Sequence, residues 1–172
     1  MPNTPLVIDE ELLALAQQVF DLARNGDAET LATLLAHGLP ANMCNDRGDS
    51  LLMLAAYHGH AETCRLLLVH GADPELRNDR GQTPLAGAAF KGDVDVVRVL
   101  LAHGAEVDGR CSDGRTPLMY SAMFDRTDIV ALLLEHGARA ELSDRMGIDA
   151  LSLARAMGAT KAVQQLDAPR RH

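Results

Sequence analysis

Aromatic residues are scarce in this 172-residue chain, which has two tyrosines, three phenylalanines and no tryptophan. With so few rings available to anchor a partner, the position of each one carries weight. Positive charge is also in deficit. Sixteen Lys and Arg residues stand against 24 Asp and Glu, for a formal net charge of -8. The average field of such a chain repels a nucleic-acid backbone, so no nucleic-acid partner is expected. No apolar run approaches the length that crosses a bilayer, and no membrane partner is expected either. The opening Met1-Pro2-Asn3-Thr4-Pro5 lacks a cationic segment, and Asp9, Glu10 and Glu11 break the apolar residues after it. It does not read as a secretory leader. Cys44, Cys64 and Cys111 are odd in number and share no periodic position, as ordinary reduced thiols do. The expectation is a cytoplasmic protein.

Periodicity is what the chain has in abundance. His37-Gly38, His70-Gly71, His103-Gly104 and His136-Gly137 recur every 33 residues. Gly48, Gly81, Gly114 and Gly147 keep the same period, and a third series, Gly26, Gly59 and Gly92, lapses at Asp125. Three registers in phase identify a stack of structural repeats.

Each unit begins with a helix start. Thr83 suits an N-cap because its hydroxyl can accept from a first-turn amide, and Pro84 suits the first helical position, where no N–H is needed. Thr116-Pro117 repeats the device, whereas Ser50-Leu51 and Asp149-Ala150 keep the cap without the proline. A short alanine-rich helix follows, ended by Gly59 or Gly92 in a left-handed conformation. The second helix carries a broad apolar stripe (Val94, Val96, Val97, Val99, Leu100 and Leu101 in one unit), with Glu29, Glu62, Asp95 and Asp128 near the positive ends of the helix dipoles. The His-Gly pair closes it. One helix pair cannot bury such a stripe alone, so the units must stack.

The residues Gly-x-Thr-Pro-Leu, the pairs Ala55-Ala56 and Ala88-Ala89, the Leu-Leu runs, and Gly71-Ala72, Gly104-Ala105 and Gly137-Ala138 resemble the ankyrin repeat family over nearly the whole chain. The resemblance implies an all-α solenoid of stacked helix pairs with projecting turns. Its expected organisation is a flexible start at 1–8, one domain at 9–167 and a tail at 168–172. Within the domain, repeats 46–78, 79–111 and 112–144 lie between degenerate caps at 9–45 and 145–167. Asp9 would cap a long first helix whose Leu12, Leu15, Ala16, Val19, Leu22 and Ala23 share a helical period and cover the open end. The histidine usual in the family after Thr-Pro-Leu is replaced by Met53, Ala86 and Met119. Gly87 sits mid-helix, with Tyr120 of the next unit either filling its space or leaving a soft spot; Tyr120 itself points toward the interior.

The resemblance also implies binding through the turns and the exposed ends of the first helices. Transferred residue by residue, this face holds Tyr57, Phe90, Met123 and Phe124, with His58, Lys91 and Arg24 beside them and Arg47, Arg80 and Arg115 on the turns. Met146 and Ile148 extend it at the last turn. A protein partner is the expectation, to be positioned, stabilised or inhibited. The alternatives are a self-assembling structural protein with a homodimer seam, and an accessory subunit that regulates an enzyme. No catalytic set, phosphate loop or cofactor motif is present, so an enzyme is not expected. The four periodic histidines do not read as metal ligands, because adjacent units lie roughly 8–10 Å apart and zinc needs donors near 2.0 Å from one centre.

Overall fold

The computed structural model describes residues 10–168. Asp9, the start at 1–8 and all but Ala168 of the tail lie outside the described residues. Among the described residues ten helices form five pairs: α1 (Glu10–Asn25) with α2 (Ala28–Ala36), α3 (Leu51–Tyr57) with α4 (Ala61–Val69), α5 (Pro84–Lys91) with α6 (Val94–Ala102), α7 (Pro117–Met123) with α8 (Thr127–Glu135), and α9 (Ala150–Ala156) with α10 (Thr160–Asp167). The first helices pack in one row and the second helices in another, each against its counterpart in the neighbouring unit. This is an all-α repeat solenoid. Among the described residues no helix is long and apolar enough to cross a membrane.

The caps fix where the helices start. The Thr83 hydroxyl accepts from Ala86 N–H at 3.2 Å, the Ser50 hydroxyl from Met53 N–H at 3.1 Å, and the Asp149 carboxylate from Ser152 N–H at 2.8 Å. Behind them, Ala55, Ala56, Ala88, Ala89, Ala122 and Ala154 are fully buried where neighbouring first helices meet. In the second row Leu67, Leu100 and Leu133 occupy one register position and are also fully buried. Each such leucine contributes about 1.5–3 kcal/mol that a single unit could not gain.

The second helices α2, α4, α6 and α8 end the same way. Nδ1 of His37, His70, His103 and His136 donates to the carbonyl four residues earlier, at 2.7, 2.9, 2.8 and 2.8 Å. The glycine after each histidine takes a positive φ. The connectors beyond are stitched across units: the Asp73, Glu106 and Arg139 amides donate to side chains of Asn42, Glu75 and Asp108. The projecting turns are joined by backbone bonds, Asp79 N–H to Arg47 O at 3.1 Å, Ser112 N–H to Gly81 O at 3.2 Å and Arg145 N–H to Asp113 O at 3.1 Å.

Where the glycine register lapses, Asp125 still adopts φ 54°. A Cβ at Gly26, Gly59 or Gly92 would run into His60, Asp93 or Arg126 of the next unit, at 2.5, 2.7 and 2.7 Å. The residue in that place after Asp125 is the small Ala159, the N-cap of α10, which has no side-chain cap of its own. Asp125 uses the room: its carboxylate accepts from Ala162 N–H at 2.7 Å and caps α10 from the preceding unit.

The first helix departs from expectation. Only its last turns bury residues, Val19, Phe20 and Ala23, whereas Leu12 and Leu15 are 60% and 55% exposed. At 16 residues, α1 is roughly 24 Å long, and the seven-residue α3 beside it spans roughly 10 Å, so the described residues offer no surface for those leucines to cover. At the other end Met146 is exposed, but Ile148 is half-buried against the core and does not extend an outer face.

Candidate functional site

The ends of α3 and α5 and the turns beside them surround a cavity of about 400 Å³. Its floor is apolar: Met53, Leu54 and Ala86 are buried, and Gly87 contributes no side chain. Met53 and Ala86 are two of the residues that replace the family's histidine. Tyr57, Phe90 and Tyr120 form the walls, and Arg24, His58, Asn45, Arg47, Asp49, Asn78, Arg80 and Gln82 the rim.

The turns hold their residues rigidly. Asn45 Oδ1 accepts from the amides of Arg47 and Asp49, both at 2.9 Å, and Asn78 Oδ1 from those of Arg80 and Gln82, at 3.1 and 3.0 Å. The Asn78 side-chain amide donates to Asp49 Oδ1 at 2.8 Å, tying one turn to the next. These bonds build the two turns alike and point Arg47 and Arg80 outward from equivalent places. Neither guanidinium is ion-paired among the described residues, whereas Arg24 pairs with Asp21 at 2.6 Å.

The rings contact one another across units. Lys91 Nζ lies 4.8 Å from the centre of the Tyr57 ring, and Phe90 meets Phe124 edge to face, with centroids 4.9 Å apart at 83°. Both contacts join residues 34 apart, one position beyond the repeat period. Tyr57, Phe90 and Phe124 each keep a little over a third of their surface exposed. Burial holds the His58 imidazole below its usual pKa, and the nearby His60, Lys91 and Arg24 act in the same direction.

Of the residues singled out from sequence, Arg24, Arg47, Tyr57, His58, Arg80 and Phe90 line the cavity, and Lys91 and Phe124 touch its walls. Two do not. Met123 is half-buried against the core, and Arg115 is engaged by Asp113 at 3.7 Å and Asp144 at 3.5 Å. Tyr120 packs against the core, as its helix position suggests, and also reaches the cavity. It is half-buried and forms a cavity wall, with its hydroxyl donating to Asp113 Oδ2 at 3.0 Å. Burial, then Cys111 and Asp113, raise its phenol pKa, so it stays a neutral donor. Gly87 is neither filled by Tyr120 nor collapsed: a Cβ there would meet only Tyr57 Cδ2, at 3.8 Å, an ordinary contact. The available signal was the coincidence of a mid-helix glycine with a tyrosine one unit on.

No three His, Cys, Asp or Glu residues gather to hold a metal ion among the described residues. The cavity offers apolar contact, amide hydrogen bonds and guanidinium groups, which are means of recognition.

Comparison with known proteins agrees with the architecture. The family model for ankyrin repeats (three copies) matches residues 19–111 and again 106–168. A Pseudomonas aeruginosa protein whose name describes it as an ankyrin repeat protein is 54% identical over 51 residues, a stretch that spans 30% of this chain and 30% of the relative. The matched residues take in all the helix pairs but the first turns of α1, and the chain belongs to the ankyrin repeat family.

Proposed function

We propose that this protein is a non-enzymatic binding module that holds a segment of a protein partner against the ends of α3, α5 and α7 and the turns beside them, so as to position, stabilise or inhibit it. Ankyrin repeats in general mediate protein–protein interaction, and they are typically not enzymes. The observation that carries the finer reading is the cavity around Gly87, walled by Tyr57, Phe90 and Tyr120. Half-exposed rings around an unfilled, apolar floor are the arrangement expected of interface anchors. The rim is held by turn hydrogen bonds before any partner arrives, so association orders few residues.

The test is affinity capture from the source cells, with native protein set beside a Tyr57→Ser/Phe90→Ser variant shown by circular dichroism to be folded. A protein retained by the native form and lost from the variant is the expected result. Equal retention by both would move the interface away from this face. Capture by neither, together with a concentration-dependent dimer in sedimentation, would favour self-assembly instead.

A further inference from the structure

The charge around the cavity is opposite in sign to the charge of the chain. Arg47 and Arg80 line it against a single carboxylate, Asp49, with Arg24 beside them held by Asp21, while the protein as a whole carries -8. Asp49 is turned inward to the amides of Asn78 and Asn45, at 2.8 and 3.5 Å, which leaves its charge partly occupied by fixed donors. Asp46 and Asp79 stand on the same turns but do not line the cavity. Arg47 and Arg80 are exposed, flank the opening from successive turns, and have no carboxylate partner among the described residues. Lys91 adds a further cation over the Tyr57 wall.

From this we infer that the occupant is an acidic segment of a partner protein. One aromatic or branched aliphatic side chain enters the space over Gly87, and Asp or Glu residues flanking it reach Arg47 and Arg80. The inference rests on the binding role proposed above and names the chemistry of the partner. Three features argue for it together. At about 400 Å³ the cavity is near the lower end of ligand pockets, which run roughly 300–1,000 Å³, and so suits one or two side chains and not a folded surface. Its floor is apolar and offers nothing for a charged group, so the inserted side chain must be apolar too. Guanidinium groups bind carboxylates through paired hydrogen bonds, and the acidic remainder of the molecule repels the same segment, which confines it to this opening.

The experiment is a pair of peptide display libraries of equal length. Each has a random apolar residue at the centre, flanked by Asp and Glu in one library and by Lys and Arg in the other. Native protein should enrich the acidic library alone. An Arg47→Glu/Arg80→Glu variant, checked for fold by circular dichroism, should lose the enriched acidic peptides by about tenfold or more and turn its preference to the basic library. Peptides that depend on Tyr57 and Phe90 but come equally from both libraries, or from the basic one, would overturn the acidic occupant and leave the binding face intact. No enrichment from either library would overturn both, since the cavity would then not take a peptide side chain.

Discussion

The two edges of the stack use glycine for the same backbone purpose and differ in everything around it. On the His-Gly edge, Gly38, Gly71, Gly104 and Gly137 have positive φ and nothing within 4 Å of where a Cβ would stand. Four of the five units there repeat one histidine bond, and a side chain at the glycine would meet no neighbour. On the turn edge the glycines also have positive φ, but Gly48 and Gly114 face backbone nitrogens of the following turn at 2.8 Å. The first edge shows what a single chain needs to reverse direction. The second shows what a stack needs for its units to approach. The turn edge also holds residues that differ between units and line the cavity.

The largest effect should come from testing this division within one glycine series. Gly147 occupies the same register as Gly114, but among the described residues a Cβ there meets nothing within 4 Å. Gly147→Ala should therefore cost only the left-handed strain, about 1–2 kcal/mol. Gly114→Ala should add the clash with Arg145 N and displace the Arg145 to Asp113 bond, a further 1–3 kcal/mol or so. Urea denaturation midpoints for the two variants measure the difference. Equal losses would mean that the turns move apart freely and that the close approach is not required.

A smaller effect is expected at Asp125, where the exception to the glycine rule is also a cap. Asp125→Ala removes the bond to Ala162 N–H and leaves an alanine in a left-handed conformation, so it should lose about 1–3 kcal/mol. Asp125→Gly loses the same cap without that strain and should recover about 1 kcal/mol of the loss. Hydrogen exchange of α10 amides reports the cap directly. If α10 protection is unchanged in both variants, the helix does not depend on the preceding unit.

These cases show why some of the structure could be read from the sequence and some could not. Thr83, Thr116, Ser50, Asp149 and the His-Gly pairs act within three or four residues of themselves, so the helix starts and ends are written locally. Contacts between units are not. Lys91 over Tyr57 and Phe90 against Phe124 depend on how far one helix is offset from the next, which the repeat period does not state. Asp125 reaches 37 residues along the chain because Ala159 happens to be small. The cavity-wall role of Tyr120 was not legible for a related reason. Its counterparts Leu54 and Leu153 are buried at 7% and 6%, but its longer side chain follows the Asp113 carboxylate out to the cavity wall. The leucines of α1 follow a correct period that extends beyond any surface the described residues offer to bury it.

Gly87 gives the smallest expected change and the one that separates stability from binding. It lies inside α5 with ordinary helical geometry, outside the positive-φ set, and the only atom near a new Cβ is Tyr57 Cδ2 at 3.8 Å. Alanine there avoids the conformational entropy that glycine loses in a helix, so Gly87→Ala should stabilise the protein by about 0.5–1 kcal/mol. The same methyl group enters the floor of the cavity and should weaken an occupant that packs there. A rise in denaturation midpoint with a fall in affinity would show that the glycine keeps the cavity open at the expense of helix stability. If affinity instead holds or improves, the partner does not reach the floor and is held by the rim, which makes Arg47, Arg80 and the rings the whole of the site.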